Sequence, residues 1–127
     1  MGEGLLALVG VGRDDGEEQA TELARKLVHL RIFAGESGRM DRSLLDTDGT
    51  LGVVSQFTLM ADARQGRRPS YVGAAPGEQA EPLLERLMAE ARALGAPVVT
   101  GRFGAMMEVE LANAGPVTIL LDTDRAF

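Results

Sequence analysis

The sequence predicts a single mixed α/β domain in which two helices cover a sheet that is at least partly antiparallel. Three observations carry this expectation: two windows with apolar residues at three-and-four spacing, short apolar or alternating runs between and after them, and no repeat or linker dividing the chain. The order they give is strand, helix, strand, helix, then three strands. At 127 residues and 45% hydrophobic content, the chain has enough apolar material for one core.

Leu5-Leu6-Ala7-Leu8-Val9-Gly10-Val11-Gly12 is a continuous apolar run bounded by glycine, the pattern of a buried strand. Gly10 and Gly12 match only half of a nucleotide-binding fingerprint. The third glycine is missing, and Asp14-Asp15 put negative charge where a phosphate needs amide donors. Asp15-Gly16-Glu17-Glu18 then opens a helix running to about Ile32, with Asp15 as its cap and Ala20, Leu23, Leu27 and Leu30 as its apolar stripe. His29 falls on the opposite side with Glu18, Glu22, Arg25 and Lys26, so it is expected to face solvent.

Residues 35–49 are polar and punctuated by glycine, which indicates a loop with one short ordered turn. Residues 51–59 read as a central strand that becomes polar in its second half. A regular strand there sets Ser55 and Phe57 on one face and brings Gln56 and Thr58 together on the other. Residues 63–71 form a loop with Arg64, Arg67 and Arg68, the basic cluster of an acidic chain. Such guanidinium forks suit phosphate oxygens, although a solvated loop has the same composition. Pro76-Gly77-Glu78 introduces a second helix, firm from about Pro82 to Leu94, with Leu84, Leu87, Met88, Ala91 and Leu94 inward and Gly95 ending it. Residues 98–100 are a short strand, Phe103-Gly104 a break, and residues 107–111 and 117–121 a final pair of alternating strands. Asn113-Ala114-Gly115-Pro116 joins that pair; by itself it reads as a turn closed by a permitted proline.

Composition removes several chemistries. With no cysteine there is no disulfide, thiolate nucleophile or thiolate metal site, and one histidine cannot supply a multi-histidine site within a chain. No metal or cofactor is expected, although carboxylates alone remain able to hold magnesium or calcium. A formal charge of −6 argues against broad, non-specific nucleic-acid binding and leaves local charge to decide. No segment has the length and hydropathy of a membrane span or the pattern of a signal peptide, so a cytoplasmic location is expected.

Read together, Ser55-Gln56-Phe57-Thr58, Arg64-Gln65-Gly66-Arg67-Arg68-Pro69-Ser70, Phe103-Gly104 and Asn113-Ala114-Gly115-Pro116-Val117-Thr118 closely resemble the D-aminoacyl-tRNA deacylase family. The similarity extends over residues 5–122. It implies a largely antiparallel sheet or partial barrel under two helices, and a homodimer that hydrolyses the ester between a D-amino acid, or glycine, and the 3′-terminal adenosine of tRNA. Glycine mischarged on the alanine tRNA falls within the implied range. The resemblance further implies a cis Gly115–Pro116 bond whose carbonyl oxygens enter the other subunit's pocket and exclude L side chains. Ser55, Gln56 and Phe57 are then expected to receive the adenosine and aminoacyl group, Phe103 to lie beside the base, and Arg64, Arg67 and Arg68 to meet tRNA phosphates.

The residues themselves limit the mechanism. Ser55 and Thr58 carry hydroxyls, yet no local base is evident to activate either. Gln56 and Thr58 are therefore expected to act by positioning, with backbone donors stabilising the oxyanion and the ribose hydroxyl assisting water. Family members carry two further strands before the segment that matches Gly4-Leu5-Leu6, and reduced stability or altered assembly is expected without them. The competing reading is a non-catalytic module that binds a tRNA 3′ end or a small metabolite through the same pocket.

Overall fold

A computed structural model describes residues 1–127. The elements in order are β1 (Gly4–Val9), α1 (Glu17–His29), β2 (Phe33–Ala34), β3 (Met40–Arg42), β4 (Thr50–Ser55), a 3-10 helix (Phe57–Met60), α2 (Gly77–Ala93) and β5 (Val98–Thr100). β1, β4 and β5 form one sheet in the order β1-β4-β5, and β2 with β3 forms a separate pair. A mixed α+β domain with two helices and a sheet is therefore what the chain builds.

The pairing within the sheet differs from expectation. β1 runs parallel to β4, with Leu5 opposite Leu51, and β4 runs parallel to β5, with Leu51 opposite Val98. Antiparallel pairing is confined to β2–β3 and to two isolated bridges, Gly12 with Ala74 and Asp62 with Ser70. The physical reason is the crossover. α1 lies between β1 and β4, and α2 between β4 and β5, so each connection brings the chain back in its original direction. β4 shows the consequence in its composition: Leu51, Gly52, Val53 and Val54 are all buried, as a central parallel strand requires.

The core joins this sheet to the two helices. α1 buries Ala20, Ala24, Leu27 and Val28, and α2 buries Ala80, Leu84, Leu87 and Ala91. Both stripes mix alanine with larger side chains, which permits close approach where α1 packs on α2. On α1 the stripe is rotated toward Ala24 and Val28, leaving Leu23 half-buried, while His29 is exposed as expected. That helix ends earlier than its periodicity suggests. Leu30 takes extended backbone, φ −61° and ψ 129°, and leads the chain toward β2.

The start of α1 is also built differently. Gly16 occupies the cap position and its amide donates to Gln19 Oε1 at 2.8 Å. Asp15 instead turns back, accepting from the Gly12 amide at 2.7 Å. That amide is thereby occupied by a carboxylate, which is incompatible with a phosphate loop at Gly10 and Gly12.

Two segments depart further from their sequence pattern. Within residues 35–49, Ser43 and Asp46 cap one another: the Ser43 amide donates to Asp46 Oδ2 at 2.8 Å and the Asp46 amide to Ser43 Oγ at 3.1 Å. This turn drives Leu44 fully into the core. The backbone bond from Ser43, followed by the Ser43 side-chain bond, holds the Asp46 carboxyl below its ordinary range. Residues 107–111 and 117–121 form no strands, and neither do any others beyond Thr100. No helix is long and apolar enough to cross a membrane.

Candidate active site

β4 carries the chain out of the core and into the site. It stops at Ser55, where Gln56 takes φ −136° and ψ 76° and the chain tightens into the 3-10 helix Phe57–Met60. The expected strand to residue 59 is therefore cut short. A close approach makes the turn possible: a Cβ on Gly10 would meet Met60 Sδ at 3.0 Å and Leu59 Cβ at 3.1 Å. The Gln56 amide donates to the Val9 carbonyl at 2.8 Å, fixing the turn to the end of β1.

The change of backbone reassigns the faces without separating the polar pair. Gln56 Nε2 donates to Thr58 Oγ1, so the amide and hydroxyl expected on one strand face meet across a helical turn instead. Because that oxygen accepts from Gln56, its own proton is free to be donated outward. Phe57 and Thr58 open the turn, and the first amides of such a turn have no helical acceptor of their own. Phe57 itself is 58% exposed.

Beside this turn lies a cleft of about 160 Å³ between the carboxyl ends of β4 and β5 and the side of α2. Ser55, Thr100, Phe103 and Met107 line one side, and Glu81, Leu84, Glu85 and Met88 the other. In parallel sheets the carboxyl ends of strands are where ligand crevices form. Thr100 Oγ1 donates to the Val53 carbonyl at 2.9 Å, which fixes the end of β5. Phe103 is half-buried against the core and close to the start of α2, within 3.5 Å of where a Cβ on Gly77 would lie.

The arginine loop is closed at its base. Asp62 and Ser70 exchange backbone hydrogen bonds at 2.8 Å in both directions. Arg64 bonds the Asp62 carboxylate twice, Nε to Oδ1 at 2.9 Å and a terminal nitrogen to Oδ2 at 2.7 Å, while the Arg64 amide adds a third bond to Oδ1 at 3.0 Å. These side-chain bonds foremost, then the backbone one, pull the Asp62 carboxyl down to about 2. Arg64 is thus occupied as a brace. Arg67 and Arg68 are exposed and take part in no ion pair.

Gly115 and Pro116 stand apart from the cleft, both exposed and neither among its lining residues. Their peptide bond is cis. Asn113 organises the turn: its Oδ1 accepts from the Val117 amide at 3.0 Å and its Nδ2 donates to Thr118 Oγ1 at 3.2 Å. Gly115 has φ +126°, and a Cβ there would come within 2.8 Å of Val117 Cγ2, so the position requires glycine.

Of the residues singled out in the sequence, Ser55 through Thr58 are contiguous at the end of β4 and Ser55 shares the cleft with Phe103. The arginines stand on a neighbouring loop, and Gly115–Pro116 belongs to a separate segment. The sequence reading missed Asp62 as the partner of Arg64. It also gave no role to Tyr71, whose ring packs on Phe57 at 5.3 Å between centroids and 60° between planes. A sole tyrosine beside an arginine cluster was the available signal.

The family model described as D-Tyr-tRNA(Tyr) deacylase matches residues 1–122. A D-aminoacyl-tRNA deacylase of Roseiflexus sp. (strain RS-1) is 59% identical over 123 residues, covering 97% of this chain and 79% of the relative. One from Symbiobacterium thermophilum is 51% identical over 127 residues, covering 100% of this chain and 84% of the relative. Among solved structures, one named c-Myc DNA Unwinding Element Binding Protein superposes with TM-score 0.90 at 35% identity, over 96% of this chain and 83% of its own. A structure described as a probable eukaryotic D-amino acid tRNA deacylase shares the fold, with TM-score 0.60 at 17% identity over 80% of this chain and 74% of its own. With a match across nearly its whole length and relatives at this identity, the chain belongs to the D-Tyr-tRNA(Tyr) deacylase family of hydrolases.

Proposed function

We propose that this chain hydrolyses the ester linking a D-amino acid to the 3′-terminal adenosine of tRNA, and so removes D-aminoacyl-tRNA in the cytoplasm. The observation that carries the reading is the turn at the end of β4, where Gln56 holds Thr58 with its hydroxyl proton free, and where the preceding Ser55 enters a cleft that Phe103 also lines. Phe103 offers an aromatic face to adenine, and the Ser55 and Gln56 side chains offer polar partners to the ribose.

The chemistry asks little of any side chain. Water adds to the ester carbonyl, the bond to the ribose 3′ oxygen breaks, and a proton from water ends on that oxygen. No cysteine is present and the sole histidine is exposed on α1. The proposal therefore assigns the rate to positioning, with Thr58 and the amides opening the turn aimed at the developing oxyanion. The neighbouring ribose hydroxyl assists the attacking water.

Chirality is read by exclusion, with Gly115 and Pro116 presenting backbone carbonyls in the pocket of a second subunit, where an L side chain would collide. The Asn113 bonds that hold this turn and the exposed apolar residues Val109, Leu111, Ile119 and Leu120 that flank it in the sequence support the reading. A surface of that composition calls for a covering partner, and a second copy of the chain satisfies both requirements. Glycine has no side chain to exclude, so glycyl-tRNA mischarged on the alanine tRNA is also expected to be cleared.

The direct test compares hydrolysis of D-tyrosyl-tRNA and L-tyrosyl-tRNA by the purified chain. Release of D-tyrosine with L-tyrosyl-tRNA intact is expected. Binding of both without turnover would replace the hydrolase by a non-catalytic module for tRNA 3′ ends.

A further inference from the structure

Tyr71 lies outside the cleft, outside the turn at the end of β4 and outside the Gly115–Pro116 segment, yet it is held against that turn. The Asp62–Ser70 bridge and the Asp62–Arg64 pair close the arginine loop immediately before it, and its ring rests on Phe57. Both rings remain open to solvent, Tyr71 at 38% and Phe57 at 58% exposure. Both rings therefore keep surface on which a further ring can stack. On the same loop, Arg67 and Arg68 carry free positive charge.

We infer that Tyr71, with Phe57 beside it and Arg67 and Arg68 nearby in the chain, forms a stacking platform for an unpaired nucleotide that precedes the terminal adenosine of the RNA. The inference rests on the hydrolase reading above and adds a second base-binding position to it. An aromatic face accepts any base, and free guanidinium groups meet the phosphates linking successive nucleotides; this combination is how single-stranded ends are held without sequence readout. Tyr71 contributes ring surface rather than a hydroxyl, since its partner is a ring and no hydrogen bond orients its phenol.

The experiment uses two non-hydrolysable probes, adenosine bearing a 3′-amide-linked D-alanine and a cytidine-cytidine-adenosine trinucleotide with the same 3′ group. Affinities are measured by calorimetry for the wild type, Tyr71→Phe and Tyr71→Leu. The wild type is expected to bind the trinucleotide at least about tenfold more tightly than the mononucleoside, since stacking is worth about 1–3 kcal/mol per base. Tyr71→Phe keeps that advantage. Tyr71→Leu, which retains apolar bulk against Phe57 but has no aromatic face, loses roughly five- to a hundredfold on the trinucleotide and less than about twofold on the mononucleoside.

Equal wild-type affinities for the two probes would overturn the platform while leaving the hydrolase reading intact. So would a loss in Tyr71→Leu that is the same for both probes, because that pattern marks a packing role. If the wild type binds neither probe, the hydrolase reading fails and the platform with it.

Discussion

Residues 1–100 and residues 101–127 carry similar apolar patterning and use it differently. In the first region the main runs find partners: β4 lies between β1 and β5 with Leu51 and Val53 buried, and α1 and α2 share one core with the sheet. In the second, Val109 and Leu111 alternate with glutamate and Ile119 and Leu120 follow a threonine, yet no ladder forms and these side chains are exposed. Alternation selects the face a strand would bury; it does not provide the edge that completes its hydrogen bonds. The comparison also divides the site. Ser55 through Thr58 belong to the region whose apolar runs are packed, and Gly115–Pro116 to the region whose apolar side chains stay exposed.

The sharpest way to test this division is to cut into each region. Leu87→Ala removes a side chain that is almost wholly buried and is expected to destabilise the chain by about 2–5 kcal/mol in denaturant unfolding. Leu111→Ala, exposed within the chain, should change unfolding of a dilute monomer by under about 0.5 kcal/mol. If Leu111→Ala also weakens self-association in sedimentation, the second region is completed between copies; if it affects neither quantity, the covering partner is not a second copy.

Gly115→Ala strains a backbone that sits at φ +126° against Val117, and because the turn is exposed the strain is expected to distort the turn locally with a smaller effect on unfolding than Leu87→Ala. We expect at least about a tenfold fall in the ratio of D- to L-tyrosyl-tRNA hydrolysis, a free-energy change of about 1.4 kcal/mol. Unaltered discrimination would remove this turn from the chiral step. Thr58→Ala is a smaller perturbation. Loss of one donor with no nucleophile removed should lower kcat by about ten- to a hundredfold and keep deacylation measurable, whereas complete loss with substrate binding intact would point to covalent catalysis.

The smallest expected effect concerns pH. The Asp62 carboxyl sits at about 2 because of Arg64, below its unfolded value, so its contribution to the loop is fully present above the ordinary aspartate range near ~4 and is lost as pH falls through about 2. Carboxyl resonances followed by NMR should show Asp62 titrating in that low window. Titration near ~4 would mean that the clamp is open in solution.

The sequence made some of this legible and withheld the rest for physical reasons. Leu27, Leu84, Leu87 and Ala91 were readable as core, and His29 as exposed, because three-and-four spacing encodes which side of a helix is inside. Strand direction has no such code; only the unbroken apolar runs Leu5 through Val9 and Leu51 through Val54 pointed to parallel strands. Ser55, Gln56, Phe57 and Thr58 followed the apolar run of β4 without a break signal, so its end at Ser55 was hidden: a 3-10 turn and a strand can carry the same few residues, and the turn packs closely on Gly10, far away in sequence. Leu44 looked like part of a polar loop because the Ser43–Asp46 capping that buries it is local geometry, not periodicity. The motif residues of the site were legible as text, but their distribution between two regions was not.

The occupied state of Arg64 has a kinetic consequence. In a chain of net charge −6, only Arg67 and Arg68 of the loop keep uncompensated positive charge. Beyond a Debye length of about 8 Å at physiological salt a polyanion meets net repulsion, and attraction begins only within a few ångströms of the loop. For the RNA substrate proposed above, association is therefore expected to quicken with added salt, the reverse of what basic RNA-binding proteins do. A protein with this field is not sequestered along the bodies of RNA molecules. On that proposal, retention is expected only where a flexible RNA end reaches Arg67 and Arg68.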